Sequence, residues 1–350
     1  MKSLSSIWIM AVLSLACTPK AAGGSEEWPW TEPSKPEVPE STEQNPAIVE
    51  KGWTNVSSSY TGLIDGIQLY RSPEKLQNVK SVAYVAVADV SKVKWDVWSI
   101  SDPKTQGTDD ALKTPLQVFE STSAPVVING GYFFSEGGKR YNASVAVSGG
   151  KTFGVNLNYA SQDWVTYYYP TRGVFYEKDG AFSCGWTYYT TSGQHYLYGI
   201  PAQNSWDQSP LQAPDANYPE KAKTFDAVTA IGAGPVLVHG SKVVDSWKAE
   251  LFYGDGSDDK MPEARHPRTA IGYGNGRLYL FVCEGRQMTE GVPGLTTAEV
   301  AQVMKDLGCT EALNLDGGGS TCMLAGGKST VKESDGSLRP VGSAVILKKK

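Results

Sequence analysis

The sequence predicts an α+β fold, a single large domain whose mixed, mostly antiparallel sheet is packed by a few helices. Three observations carry this. Between Ile64 and Lys260 short runs rich in β-branched and aromatic residues alternate with clusters of Gly, Pro, Asn and Asp, the spacing of strands joined by turns. Residues 268–283 read as a tight hairpin, two apolar runs around Gly274-Asn275-Gly276. One well-bounded amphipathic helix follows, with no tandem βαβ pattern around it, which disfavours a parallel sheet. No internal repeat is visible.

The first seventeen residues, MKSLSSIWIMAVLSLAC, join one basic residue to an apolar stretch from Ile7 to Ala16. That is the pattern of a secretory signal, too short to span a bilayer as a stable helix. Leu13-Ser14-Leu15-Ala16-Cys17 resembles the bacterial lipobox, in which the Cys becomes a lipidated first residue; the alternative is ordinary cleavage. Residues 18–47 are dense in Pro and Glu and poor in aliphatics, so they cannot bury enough apolar area to offset their ordering entropy and read as a disordered tether. Residues 48–350 form the folded domain. An exported, outer-membrane or cell-surface lipoprotein is the expected setting, with a membrane reached through Cys17; the alternative is a periplasmic or secreted protein.

In the folded part, 82–90, 94–98, 125–128 and 234–238 have strand composition. Thr108–Glu120 suits a short helix with Leu112, Leu116 and Phe119 on one side, which Pro115 either kinks or begins. Tyr167–Tyr198 reads as hairpins or an insertion, and 201–223 as a long surface loop. In the C-terminal third, Thr296-Thr297-Ala298-Glu299 is a capping box, the Thr and Glu side chains satisfying each other's free N–H groups at a helix start. Val300, Val303, Met304 and Leu307 then lie on one apolar face, and Gly308 stands where a helix commonly ends. A strand from Ala312 to Leu315 comes next.

A net charge of -5 and the lack of any Lys/Arg run with interleaved aromatics exclude a polyanion as the main partner, so no nucleic acid is expected. The chain is rich in Trp (10) and Tyr (18), which core filling explains in the main and sugar-ring stacking in a smaller part. Cys184, Cys283, Cys309 and Cys322 can form two disulfides in an exported protein, Cys309 and Cys322 stapling a strand and its loop; buried thiols are the equal alternative. The acidic turn Asp255–Asp259 lacks the spacing of a calcium loop and reads as solvated. No H-x-x-x-H or C-x-x-C pair suggests zinc, and neither metal nor cofactor is expected.

The chemistry-bearing stretch is Asn314-Leu315-Asp316-Gly317-Gly318-Gly319-Ser320-Thr321, at a strand end. It lacks the Lys and the following helix of a phosphate-binding P-loop. It is not G-x-S-x-G either, and the three histidines, His195, His239 and His266, sit in no recognisable triad order, which disfavours Ser320 as a nucleophile. Gly-rich backbone can still bring N–H groups against an anion or a sugar hydroxyl.

Six segments in order carry a resemblance: Asn129-Gly130-Gly131-Tyr132-Phe133 after a strand, Gly234–Val238, Arg268–Gly272, Glu284-Gly285-Arg286 after a strand, Gly294-Leu295-Thr296 opening a helix, and Asn314–Thr321. Together, over roughly residues 80–347, they resemble the phosphodiester glycosidase family, whose animal members include N-acetylglucosamine-1-phosphodiester α-N-acetylglucosaminidase. Glu284 departs from the Asp more usual in that family, and the Tyr-rich middle region matches none of it.

The resemblance implies hydrolysis of a sugar, N-acetylglucosamine among the candidates, joined through its anomeric carbon to a phosphodiester. A glycosyl phosphate leaves as a stable anion, so positive charge and N–H donors matter more than protonation of the leaving group. Arg268 and Arg286 are forks suited to phosphate oxygens, with structural ion pairs as their plainer reading. An oxocarbenium-like transition state also wants a carboxylate near the anomeric carbon. Asp316, with Glu284 as partner, fits that role, the plainer reading of Asp316 being a turn-former. Asn129, Asn314, Gly317, Gly318, Ser320 and Thr321 are the expected sugar and phosphate contacts. A non-catalytic glycan-binding lipoprotein on the same fold, or a structural envelope protein, fits the same composition.

Overall fold

The expected hairpin is present. In the computed structural model, strands Arg268–Gly274 and Arg277–Cys283 pair antiparallel from Arg268 opposite Cys283 to Gly274 opposite Arg277. Asn275 and Gly276 turn with φ of 51° and 71°, the two positive angles whose twist suits a two-residue hairpin. Along the second strand Leu278, Leu280 and Val282 face one core and Tyr279, Phe281 and Cys283 another. The run is apolar throughout because both faces are covered.

The structure describes residues 45–103, 105–252 and 262–350, all within one compact unit. The signal-like segment, Cys17 and most of the Pro/Glu-rich stretch lie outside the described residues, as does Asp255–Asp259. Among the described residues the hairpin sits in an eight-stranded sheet, with Ala83–Asp89 on one side and Glu311–Asn314 then Val236–His239 on the other. A five-stranded sheet holds Met323–Ala325, Val126–Asn129, Ser343–Lys349 and Val93–Ser99, and a seven-stranded sheet is built largely from the meander Arg172–Lys178, Ala181–Tyr189, His195–Tyr198. That meander is what the Tyr-rich middle region forms. Every described pairing between strands is antiparallel, the parallel one being the isolated bridge Asp102–Gly154. The fold is α+β, with β structure dominant.

The three sheets share one core, to which Ala86 and Leu280 come from the first, Ile128 and Val345 from the second, and Phe175 and Ile231 from the third. Each fully buried large apolar side chain contributes roughly 1.5–3 kcal/mol. Helix Thr297–Asp306 covers the far face of the eight-stranded sheet, Val300, Val303 and Met304 lying in the same cluster as Tyr279 and Phe281. Its capping box forms as the sequence predicts: Glu299 N–H donates to Thr296 Oγ1 at 3.1 Å and Thr296 N–H to Glu299 Oε2 at 2.9 Å. Gly308, at φ 99°, follows its end.

One expectation changes, and of the two open readings of the cysteines one is found. The helix expected over 108–120 spans Pro115–Thr122, with Thr114 as N-cap and Gln117 completing a capping box. Pro115 therefore marks the first turn, where its missing N–H costs nothing. Leu112 precedes the helix, Leu116 is exposed, and Val118 makes the buried contact. The cysteines form no disulfide among the described residues; all four are buried thiols. Cys309 belongs to the helix-side core, whereas the Cys322 N–H donates to Asn129 Oδ1 on the other side of the loop.

Candidate active site

The strands bearing the quoted motifs end together. Ala270 lies opposite Asn314 and Arg268 opposite Cys283. Thr269 Oγ1 donates to Asn129 Oδ1 at 2.7 Å, which joins the eight-stranded sheet to the end of Val126–Asn129 in the five-stranded one. At this common end opens a cavity of about 410 Å³, lined among others by Tyr132, Arg172, Phe252, His266, Arg268, Arg286, Asn314, Asp316, Gly317 to Gly319 and Arg339. Its size is that of a small-ligand site.

Asp316 is the one carboxylate in this lining among the described residues. Its Oδ1 accepts the Gly317 N–H at 2.9 Å, and its main-chain N–H donates to the Gly130 carbonyl at 3.1 Å. Burial pushes its carboxyl up to about 6, against the opposing pull of the Ser320 hydroxyl, the Gly317 N–H and the positive Arg339. Near neutral pH this group therefore changes charge easily, as acid–base chemistry requires. Asn314 donates from Nδ2 to the carbonyls of Gly234 and Leu315, at 2.9 and 2.8 Å. Its Oδ1 is buried and has no hydrogen-bond partner.

Four arginines line the same cavity as this carboxylate, and Arg339 is the one whose charge acts on it. Arg268 is held by the carbonyls of Leu295 (Nε, 2.9 Å) and Ala264 (Nη2, 2.7 Å), so its charge is fixed in the wall. Arg172 stacks its guanidinium 4.4 Å from the centre of the Phe252 ring; burial lowers its pKa and Glu250 opposes that. Arg286 and Arg339 form the outer rim around Asp335, Arg339 Nε donating to Asp335 Oδ2 at 2.8 Å and Arg286 Nη1 lying 3.7 Å from Oδ1. Tyr132 donates its hydroxyl to the Gly234 carbonyl at 2.8 Å, and burial with the Asp316 charge keeps its phenol protonated.

Two of the three glycines, Gly318 and Gly319, have a steric reason in the rim arginines. A Cβ on Gly318, whose φ is 57°, would stand 2.8 Å from Arg286 Nη2; one on Gly319 would overlap the Arg339 guanidinium and the Asp335 carboxylate. The loop is bare so that two arginines can cross it.

Six expected residues, Arg268, Arg286, Asn314, Asp316, Gly317 and Gly318, line the cavity. Four others, Glu284, Asn129, Ser320 and Thr321, are buried and do not line the cavity. Glu284 is buried at 4% exposure, with Oε1 accepting the Lys332 N–H at 3.0 Å and Oε2 unpartnered. It anchors the loop that carries Asp335 and Arg339. Asn129 is fully buried and spends its amide on Thr269, Cys322 and the Asp316 carbonyl. Ser320 reaches the Asp316 carboxylate and Arg339, and Thr321 is buried. Sequence reasoning did not single out Tyr132, Arg172, Phe252, His266 or Arg339. Tyr132 sits inside a quoted motif; Arg172 begins a strand, and Phe252, His266 and Arg339 lie outside the named strands and helices, with no local signal.

A family model described as phosphodiester glycosidase matches residues 122–348. No curated protein matches. Among solved structures, a hypothetical protein from Synechocystis is 17% identical at a TM-score of 0.52, over 81% of this chain and 62% of its own length. The catalytic domain of zebrafish N-acetylglucosamine-1-phosphodiester α-N-acetylglucosaminidase, auto-inhibited by its pro-peptide, is 16% identical at the same score, over 81% of this chain and 83% of that one. At such identities these two likenesses speak for the fold.

Proposed function

Because the chain belongs to the phosphodiester glycosidase family, we propose that it hydrolyses a sugar joined through its anomeric carbon to a phosphodiester. The observation that carries this reading is Asp316, a carboxyl pushed up to about 6 at the floor of a cavity walled by Arg172, Arg268, Arg286 and Arg339. A phosphodiester is an anion and the departing phosphomonoester carries more charge still. Guanidinium groups around the leaving phosphate, with Arg268 fixed in the wall, therefore favour the transition state over the ground state. Ionised Asp316 takes a proton from water as its oxygen bonds to the anomeric carbon, while the bond to the phosphate oxygen breaks and its electron pair leaves with the phosphate. Asn314 Oδ1 accepts from a sugar hydroxyl. Glu284 takes no part in the bond changes and acts through the rim loop that it anchors.

The test is turnover of a sugar-1-phosphodiester by the full chain, with Asp316→Asn as control. Glycan binding without turnover over a broad panel of such diesters would replace the enzyme with a binding protein. We also propose, from the N-terminal pattern alone, export and lipid anchoring at Cys17 with residues 18–47 as tether. Fatty-acid labelling lost in Cys17→Ser supports the anchor, and labelling retained in that variant removes it.

A further inference from the structure

The Tyr-rich middle region holds a feature that the cavity does not use. Leu157 and Arg172 both line the cavity, so the chain between them leaves the cavity wall and returns to it. Ala160 and Tyr168 close the base of this excursion by exchanging main-chain hydrogen bonds of 2.9 and 2.8 Å. Three large apolar side chains beyond that base are exposed, Trp164 at 73%, Val165 at 80% and Tyr167 at 40%, and Tyr159, just before the base, is exposed at 43%. Single exposed aromatics are ordinary; a contiguous group beside a ligand cavity is not.

The tip is also held in shape. Asp163 accepts the N–H groups of Val165 and Thr166, at 2.8 and 2.7 Å, and the Thr166 hydroxyl at 2.9 Å. Those bonds hold its carboxyl down at about 2. Trp164 is kept at φ 58°, with its N–H on Ser161 Oγ at 2.9 Å and its carbonyl accepting from the Tyr167 hydroxyl at 3.2 Å. Tyr159 and Tyr167 meet edge to face at 5.8 Å. Rings ordered in advance lose little freedom when a flat partner stacks on them.

We propose that Trp164, Tyr159 and Tyr167 form a glycan platform continuous with the cavity, on which sugar rings beyond the cleaved linkage stack. The substrate class is then a glycan phosphodiester of several sugar units; this part rests on the hydrolase reading, whereas the platform itself does not. Aromatic faces bind the C–H faces of sugars, and the polar flank of Ser161, Asp163 and Thr166 suits hydroxyl groups. A lipid surface is disfavoured because 157–171 contains an Asp and no Lys or Arg to meet anionic headgroups.

The experiment is affinity electrophoresis of the full chain in gels containing soluble glucan, mannan or xylan, with Trp164→Ala, Tyr159→Ala and, as a surface control, Val228→Ala. Retardation by at least one polysaccharide, weakened about three- to tenfold in both platform variants and unchanged in the control, is the expected result. Equal thermal unfolding of all forms shows that the fold is kept. No retardation in any gel, or retardation that ignores Trp164, overturns the platform, as does sedimentation with phosphatidylethanolamine/phosphatidylglycerol vesicles that Trp164→Ala abolishes. Turnover of sugar-1-phosphodiesters on the same samples separates the two readings. Turnover with Trp164-independent retardation removes the platform and leaves the hydrolase; Trp164-dependent retardation without turnover does the reverse.

Discussion

Asn129 Nδ2 donates to the main-chain carbonyl of Asp316 at 2.6 Å, across 187 residues of sequence and from one sheet to the loop of another. The same amide accepts from Thr269 Oγ1 and from the Cys322 N–H. One fully buried side chain thus fixes the height of the carboxylate at the cavity floor. Asn129→Ala leaves those groups without their partner, each at a cost of about 1–3 kcal/mol. A large fall in thermal stability together with a fall in kcat is expected. Unchanged stability in a denaturation series would show that the junction is unimportant.

Asp316→Asn keeps an acceptor for the Gly317 N–H and removes only the charge. Turnover is expected to fall by about 10²–10⁴-fold, the usual worth of a positioned acid or base. The pH dependence follows from the same carboxyl. Its folded value near 6 lies above the ordinary 3.8, so the folded chain holds the proton more tightly than the unfolded chain does. Stability therefore declines as pH rises from about 4 to about 6, by at most about 3 kcal/mol for this group. Asp316→Asn should then melt higher than the parent at neutral pH, with the difference shrinking in acid. In the parent, kcat/KM should rise with pH through about 6 as Asp316 ionises. The limb in kcat should lie higher, because a bound anion opposes that ionisation. A pH-independent rate would remove Asp316 from the chemistry.

Glu284 separates a direct role from an indirect one. Its Oε1 holds the Lys332 N–H, and the loop beyond it carries Asp335 and Arg339. Glu284→Gln keeps the acceptor and should leave kcat nearly unchanged. Glu284→Ala frees the loop and should raise KM for the phosphodiester more than it lowers kcat. A kcat loss in Glu284→Gln as deep as that in Asp316→Asn would restore the expected catalytic pair.

Much of the frame was legible in local pattern. The Asn275-Gly276 turn and the Thr296/Glu299 capping box each need only a few neighbouring residues, and both form as read. The helix start at Pro115 was less so, because Leu112, Leu116 and Phe119 mimic a helical face that Pro115 interrupts. The site divides likewise. Asp316 and its glycines announce themselves as a costly loop at a strand end. Whether Asn129 or Glu284 faces the cavity or its back depends on which carbonyl or N–H the fold brings near. Arg172 and Arg339 join the site only through sheets that meet far from them in sequence.

The glycine loop offers a last test, because neighbouring positions predict different outcomes. At Gly318 the φ of 57° disfavours any side chain, and an added Cβ would press on Arg286 Nη2 at 2.8 Å. Gly318→Ala should cost about 1–2 kcal/mol of stability and displace Arg286. At Gly319 the backbone carries no such strain. The atoms in the way are the flexible ends of Arg339 and Asp335, both partly exposed. Gly319→Ala should therefore unfold almost as the parent does while its rim arginine moves off, which weakens capture of the anionic substrate and raises KM with kcat less affected. Denaturation midpoints and steady-state kinetics of the two variants read this directly. Equal KM in Gly319→Ala and the parent would mean that Arg339 does not touch the phosphate.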